Sequence, residues 1–255
     1  MSMNTSTPPS PVRGRVSVCM ATYNGAAHVE EQIASILPEL KDGDELVIVD
    51  DASTDDTAEV IEQIGDQRIR LIRSAVNRGY VKTFEAALTA SQGDYVFLSD
   101  QDDVWIPGRI DSMVAALQHA DVVASNFGYF GQAPRRIESL RLRSADSSRR
   151  WANLLTLWIG IRPYYGCAMG FRSSAKDLIL PFPRFLVETH DQWIALVGNL
   201  RGSMAHLEPN TLNRRLHDNN TTPKTARSLG RILRARFMLA RAFVVALARI
   251  MRRKA

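Results

Sequence analysis

Apolar residues alternate with smaller or polar ones over residues 15–21, with Val16, Val18 and Met20 on one side, and this period of two predicts a first strand. Over residues 26–37 the period changes. Val29, Ile33, Ile36 and Leu37 recur at helical spacing, and Pro38 closes the helix. Residues 45–50 contain LVIV, the continuous apolar run of a buried parallel strand. Ser53 stands where it can cap a helix over residues 55–64, with Asp55 and Asp56 near its positive end. The cycle then repeats as a strand over 69–72, a helix over 80–90 and a strand over 94–98.

Strands and helices alternating at this spacing predict a parallel sheet covered by helices on both faces. Ligands of such sheets bind beyond the carboxyl ends of the strands. Three polar clusters fall at those ends: Thr22-Tyr23-Asn24, Asp50-Asp51, and Asp100-Gln101-Asp102-Asp103. The second half is less regular. Residues 132–150 are polar and rich in Arg, which predicts a mobile excursion. Residues 165–171 fit a strand, residues 191–200 a short helix, and a long helix is expected from about residue 225. No internal repeat is visible.

Charge changes the picture at one end only. The 255 residues carry a net +5, yet the segment from Lys224 onward holds ten Lys or Arg and no acid. Residues 1–223 therefore hold 22 basic and 27 acidic residues, a net of −5, so the basic balance does not describe a whole-protein nucleic-acid surface and no nucleic-acid partner is expected. Residues 1–14 are polar, rich in Ser, Thr and Pro, and lack an apolar stretch; they read as a disordered tail and not as a secretory signal. Cys19 and Cys167 make no disulfide framework, which predicts a reducing, cytoplasmic setting. No run of 18 apolar residues predicts a spanning helix.

The densest chemistry is SDQDD, Ser99 to Asp103, directly after a buried-looking strand. Carboxylates this close repel one another unless a cation or hydrogen-bond donors compensate. Oxygen ligands suit a hard divalent ion, Mg²⁺ or Mn²⁺, which completes its shell with substrate phosphates. The bland reading is an acidic loop that caps a helix starting near Pro107. Asp50-Asp51 ends an apolar strand in DDASTD, either as an Asx turn and helix cap or as a carboxylate that accepts hydrogen bonds from a base or ribose. In Thr22-Tyr23-Asn24-Gly25 the Tyr can stack on a base and the Gly permits a tight turn. Neither GxGxxG nor GxxxxGK[ST] occurs, which counts against a Rossmann dinucleotide site and a P-loop.

In order, VSVCMATYNG, LVIVDDASTDDT, NRGY and GDYVFLSDQDDVW resemble the nucleotide-binding half of the family 2 glycosyltransferases, and the SDQDDVW and HDxW variants resemble bacterial rhamnosyltransferase-type members. The resemblance is strong over residues 15–110 and looser through GCAMGF, THDQW and RRLHDNN. It implies a GT-A-like α/β fold, a mixed and mostly parallel sheet flanked by helices. It also implies an inverting transfer of a single sugar from a nucleotide-diphosphate donor to a glycan or lipid-linked acceptor. Residue by residue, it puts Thr22 and Tyr23 against the nucleobase, Asp51 in a hydrogen bond to it, and Asp100 near the ribose or metal. Asp102 becomes the direct metal ligand, Asp191 of THDQW the catalytic base, and His217 of RRLHDNN a position near the metal and diphosphate. One base suffices for inversion. Two departures stand out. Ala52 replaces the usual Gly after the double Asp, so that turn is expected not to need a strongly positive φ. The QxxRW signature of processive synthases is missing, since Ser147 stands four residues before Trp151 where Gln would be.

The chain thus divides into a tail over 1–14, a catalytic domain over 15–223 (nucleotide half 15–105, acceptor half 106–223) and a basic amphipathic helix over 224–255. On that helix Arg227, Arg231, Arg234, Arg241, Arg249 and Arg252 fall within about 80° of one another at 3.6 residues per turn. The form suits an anionic membrane surface, which would place the protein at the inner face of the cell membrane; packing on the domain is the other reading. The rivals for function are a sugar-1-phosphate nucleotidyltransferase, which would carry a glycine-rich basic loop after the first strand, and a non-catalytic membrane module, which would leave the acidic clusters without purpose.

Overall fold

The computed structural model describes residues 13–130, 140–216 and 229–254. Most of the expected N-terminal tail, part of the polar excursion, and His217 lie outside these residues. Four parallel strands, β1 (Val16–Thr22), β2 (Glu45–Asp50), β3 (Ile69–Arg73) and β4 (Tyr95–Ser99), form one side of the sheet in the order β3-β2-β1-β4. Helices α1 (Val29–Ile36), α2 (Thr57–Ile64) and α3 (Tyr80–Ala90) connect them. Both faces are covered, so neighbouring residues of one strand enter different cores. Cys19 joins Val47, Val49, Phe84 and Leu98, while Val18 and Met20 join Ile33, Ile48 and Phe97. That is why LVIV is apolar without a break.

The other side is mixed. Beyond β4 the order runs β7 (Met169–Arg172), β6 (Val122–Tyr129), β8 (Met204–Arg214) and β5 (Val104–Trp105). Here β7 is antiparallel to both β4 and β6, β6 is parallel to β8, and β5 is antiparallel to β8. Helices α4 (Arg109–Leu117), α5 (Arg150–Ile159), α6 (Lys176–Ile179) and α7 (His190–Arg201) cover it, and α8 (Leu229–Lys254) closes the chain. The GT-A-like α/β architecture expected from the resemblance is the one found.

Local expectations need four corrections. Ala52 sits at φ +59°, so the turn after the double Asp does take the left-handed conformation in spite of its side chain. Its neighbours impose it: the carboxylate of Asp50 accepts both the N–H and the hydroxyl of Ser53, and Asp51 is held from the other side by the turn before α3. Ser53 is for the same reason no helix cap; Asp55 accepts the backbone N–H and hydroxyl of Thr57 instead. The described part of the polar excursion is built in. Leu142 is buried and exchanges backbone hydrogen bonds with the side chain of Asn126, and α5 begins at Arg150. Residues 166–168 form a 3₁₀ turn, and the strand starts only at Met169.

The C-terminal helix packs on the domain through Leu239, Ala242, Ala246 and Ile250. Part of its Arg stripe faces the protein. Arg249 donates to the carbonyls of Leu178, Ile179 and Pro181, and Arg241 lies 4.1 Å over the Phe185 ring.

Candidate active site

A cleft of about 1230 Å³ opens at the carboxyl ends of β1, β2 and β4, and Thr22, Tyr23, Asp51, Asp100, Asp102 and Asp191 all line it. Six of the seven residues singled out in the sequence therefore share one wall-to-wall space. The seventh, His217, lies outside the described residues.

On the β1 and β2 side the sequence builds rigid turns. Thr22 is buried and its hydroxyl donates to Asp50, so its one proton is engaged within the turn. Tyr23 is exposed at the rim, where a ring can stack on a base. Its backbone N–H and C=O are both held by the side-chain amide of Gln101, which ties the first cluster to the third. Asp51 is buried, and its two oxygens accept the N–H groups of Arg78 and Gly79 at 2.9 and 2.8 Å. Gly79 has φ +84°, a conformation that favours glycine, and it opens α3. NRGY is thus the clamp that fixes Asp51. A carboxylate has about four lone-pair sites, so Asp51 still has acceptor capacity toward the cleft.

The SDQDD loop separates its acids by direction. Asp100 and Asp102 line the cleft, whereas Asp103 is buried behind it and accepts the N–H of Arg215. Arg215 also donates to the carbonyl of Asp102 and pairs with Glu31 at 2.6 Å, pinning the loop from outside. Burial first, and then the charge of Asp102, push the Asp100 carboxyl up to about 6 against the pull of Arg214. Burial and the charge of Asp100 push Asp103 up to about 7.

Oxygens of Asp100 and Asp103 and the sulfur of Cys167 lie within 4.8 Å of one another, a group that does not include Asp102. Burial raises the Cys167 thiol well above its ordinary range, so it stays protonated and is a poor ligand for a hard cation. A divalent ion that also meets a diphosphate fits the two carboxylates that face the cleft. Asp100, crowded by a like charge, gains most from it.

Across the cleft, α7 begins at Thr189-His190-Asp191. Thr189 takes φ +62°, which turns the first helical residues inward. The Asp191 carboxylate accepts the N–H of Gln192, and burial, with a smaller push from Asp100, raises it to about 6. The 3₁₀ turn at Gly166 packs against this corner. A Cβ there would lie 2.9 Å from the His190 Nε2, so only glycine lets the turn come this close. His190 is a packing residue. Its ring stacks on Phe84 at 4.5 Å, neither ring nitrogen has a hydrogen bond, and burial pushes its pKa down to about 3, leaving it neutral.

One cleft residue escaped the sequence reading. Arg214, at the end of β8, is buried with its guanidinium 4.8 Å over Tyr165 and 5.4 Å over Phe127. Burial opposes its charge, but the carboxylates of Asp103 and Asp100 more than offset this and hold it protonated. Its signal in the sequence is the RR pair at a strand end within RRLHDNN. The site thus combines two cleft-facing carboxylates, a third opposite them and a fixed cation among them.

A family model, Glycosyl transferase family 2, matches residues 17–179. The UDP-Glc:alpha-D-GlcNAc-diphosphoundecaprenol beta-1,3-glucosyltransferase WfaP of Escherichia coli is 30% identical over 115 residues, 45% of this chain and 46% of its own length. Several curated relatives are matched over about a third to a half of their length. S. aureus TarS, solved in complex with UDP-GlcNAc, superposes with a TM-score of 0.67 at 19% identity, covering 87% of this chain and 65% of that one. The mannosyltransferase PcManGT of Pyrobaculum calidifontis, solved with GDP-Man and Mn²⁺, gives 0.61 at 22% identity, with 95% and 65% covered.

Proposed function

Since the chain belongs to glycosyl transferase family 2, we propose that it moves one sugar, with inversion, from a nucleotide-diphosphate donor to a hydroxyl of a glycan or lipid-linked acceptor in bacterial surface polysaccharide synthesis. The observation that carries this reading is the common cleft of Thr22, Tyr23, Asp51, Asp100, Asp102 and Asp191. Relatives and structural neighbours that act on or bind UDP- and GDP-sugars support the donor class.

Tyr23 stacks on the base, and Asp51, fixed by the Arg78 and Gly79 amides, accepts its N–H. Asp100 and Asp102 would hold Mg²⁺ or Mn²⁺, which when bound would supply positive charge against the departing diphosphate. Arg214 adds a fixed positive charge on the same wall, which costs no reorganisation as that charge develops. Asp191 takes the acceptor hydroxyl's proton. The acceptor oxygen then bonds to the anomeric carbon from the face opposite the donor bond, and the electron pair of that bond leaves with the nucleoside diphosphate. A carboxyl poised near 6 is mostly ionised at neutral pH and a better base than an ordinary carboxylate.

Thermal shift with UDP, TDP and GDP, each with and without Mn²⁺, tests the reading. Metal-dependent stabilisation by at least one is expected. No response to any of them removes the donor assignment.

A further inference from the structure

We infer that the outward faces of α5 and α8 form one docking surface for an anionic phospholipid bilayer, seated beside the mouth of the cleft. The docking stands on the surface alone; its use, delivery of an amphiphilic acceptor, rests on the transferase reading above.

Helix α5 is apolar on both sides. Leu154 and Leu157 point into the core, with the buried Asn153 beside them. Trp151, Leu155, Trp158 and Ile159 fall within about 100° of one another on the opposite side. They face outward: Trp151 is 63% exposed and Trp158 48%, and Ile161 just beyond the helix is exposed too. The apolar arc of α5 is therefore about 200° wide, roughly twice what a single buried face needs, and its outer half is exposed.

Helix α8 repeats the arrangement. Its buried face is Leu239, Ala242, Ala246 and Ile250. Leu233, Phe237, Val244, Leu247 and Met251 lie within about 80° of one another on another side, all exposed, Phe237 at 67%. Arg234 and Arg252 run along one edge of this stripe, while Arg241 between them turns onto the Phe185 ring. The two helices touch where Arg236 of α8 donates to the carbonyl of Ile159 at 2.7 Å, which puts their exposed apolar residues side by side on the same flank of the domain.

Three features select a lipid surface as the occupant. Neither helix contains an acidic residue, so nothing on this face repels an anionic headgroup. The combination of Trp, Phe and Leu with an Arg border is that of helices lying in the interfacial plane. No helix among the described residues is long and apolar enough to cross a membrane, so the face lies on the bilayer and not through it. Its position gives it a purpose. Gly160 and Arg162 at the end of α5, and Ile232, Ala235 and Arg236 at the start of α8, line the same cleft as Asp100 and Asp191. An acceptor with a lipid tail would leave the membrane at this point and enter head first.

The intact chain has four tryptophans, and Trp105 and Trp193 are buried, so a lipid-induced change in emission reports on Trp151 and Trp158. Added to vesicles of phosphatidylethanolamine and phosphatidylglycerol, the protein should show blue-shifted emission, quenched by acyl-chain-brominated lipid. Vesicles of phosphatidylcholine alone should give a weaker response, and added salt should reduce the first. The double variant Trp151→Ser/Trp158→Ser should lower co-sedimentation at least about tenfold, given the apolar area removed. Arg234→Glu/Arg252→Glu should do likewise at low salt while leaving nucleotide-induced stabilisation unchanged. The inference fails if the unaltered protein shows neither shift nor quenching. It also fails if the Trp variant, folded by its circular dichroism, still sediments with vesicles. A dimer in lipid-free sedimentation equilibrium that the Trp substitutions dissolve would instead assign the face to a second copy. Nucleotide binding is read separately in solution, so loss of the donor assignment and loss of the docking surface are told apart.

Discussion

The guanidinium of Arg214 lies 4.8 Å over the ring of Tyr165, with Phe127 at 5.4 Å, and this stacking leaves its charge directed at the acids of the cleft. Asp100, Asp103 and Asp191 are each held below the value that burial alone would give them by this one cation.

Replacing Arg214 with Met keeps an unbranched stem over the two rings and removes the charge. Affinity for the nucleoside diphosphate should fall at least about tenfold, since a hydrogen bond to a charged group contributes about 1.5–3 kcal/mol. The acid limb of the pH–rate profile should move upward, because Arg214 lowers the pKa of Asp191. Arg214→Lys should recover part of both. If the limb and the affinity stay where they are, Arg214 only props β8.

Asp102 is the sharper test of the metal reading. It lines the cleft, yet it is absent from the tight Asp100–Asp103–Cys167 group. Asp102→Ala should abolish Mn²⁺-dependent nucleotide binding in isothermal titration while the protein keeps its fold. Asp103→Asn removes a buried acid that faces away and should leave that binding within a fewfold of the original. The reverse result would move the cation to the inner group.

Much of this site was legible in the sequence because strand period and helix spacing alone put the three polar clusters at one sheet edge. LVIV had to be a buried strand, and its two closing Asp had to project beyond it. What the pattern could not give were contacts made by pieces far apart in the chain. Arg214 draws its importance from Tyr165, Phe127 and the SDQDD loop, none of them near in sequence. Helix α5 is not anticipated because Trp151, Leu154, Leu155, Leu157, Trp158 and Ile159 spread over about 200° of it, so the pattern does not separate the buried side from the exposed one. The Arg stripe of α8 was read as one face, although Arg249 is spent on the carbonyls after α6.

Ala52 offers a stability test. A non-glycine residue in the left-handed region costs roughly 1–2 kcal/mol, while glycine adds about 0.4–1 kcal/mol of unfolded-chain entropy. Ala52→Gly should therefore stabilise the protein by up to about 1 kcal/mol, read as a higher urea midpoint at unchanged slope. A loss of stability would show that the methyl group packs against the turn more tightly than its conformation costs.

Asp191 joins activity and stability in opposite senses. Its folded pKa of about 6 is above the ordinary carboxylate value of 3.8, chiefly through burial. For catalysis the ionised form is the base, so kcat/KM should fall about tenfold per pH unit below that point. For stability the sign is reversed. The charged carboxylate is disfavoured in the folded state, a cost fully present above about 6 and lost as pH falls toward 3.8. Asp191→Asn keeps an acceptor for the Gln192 N–H but can neither ionise nor take a proton. It should retain nucleotide binding and lose turnover by roughly 10²- to 10⁴-fold. Its melting temperature should equal or exceed that of the unaltered protein at pH 8, with the difference shrinking as pH drops through 6 to 4. A variant that keeps more than about a tenth of the rate at saturating substrate would place the base elsewhere. One that melts earlier at pH 8 would mean that the ionised carboxylate is held by partners stronger than the Gln192 amide.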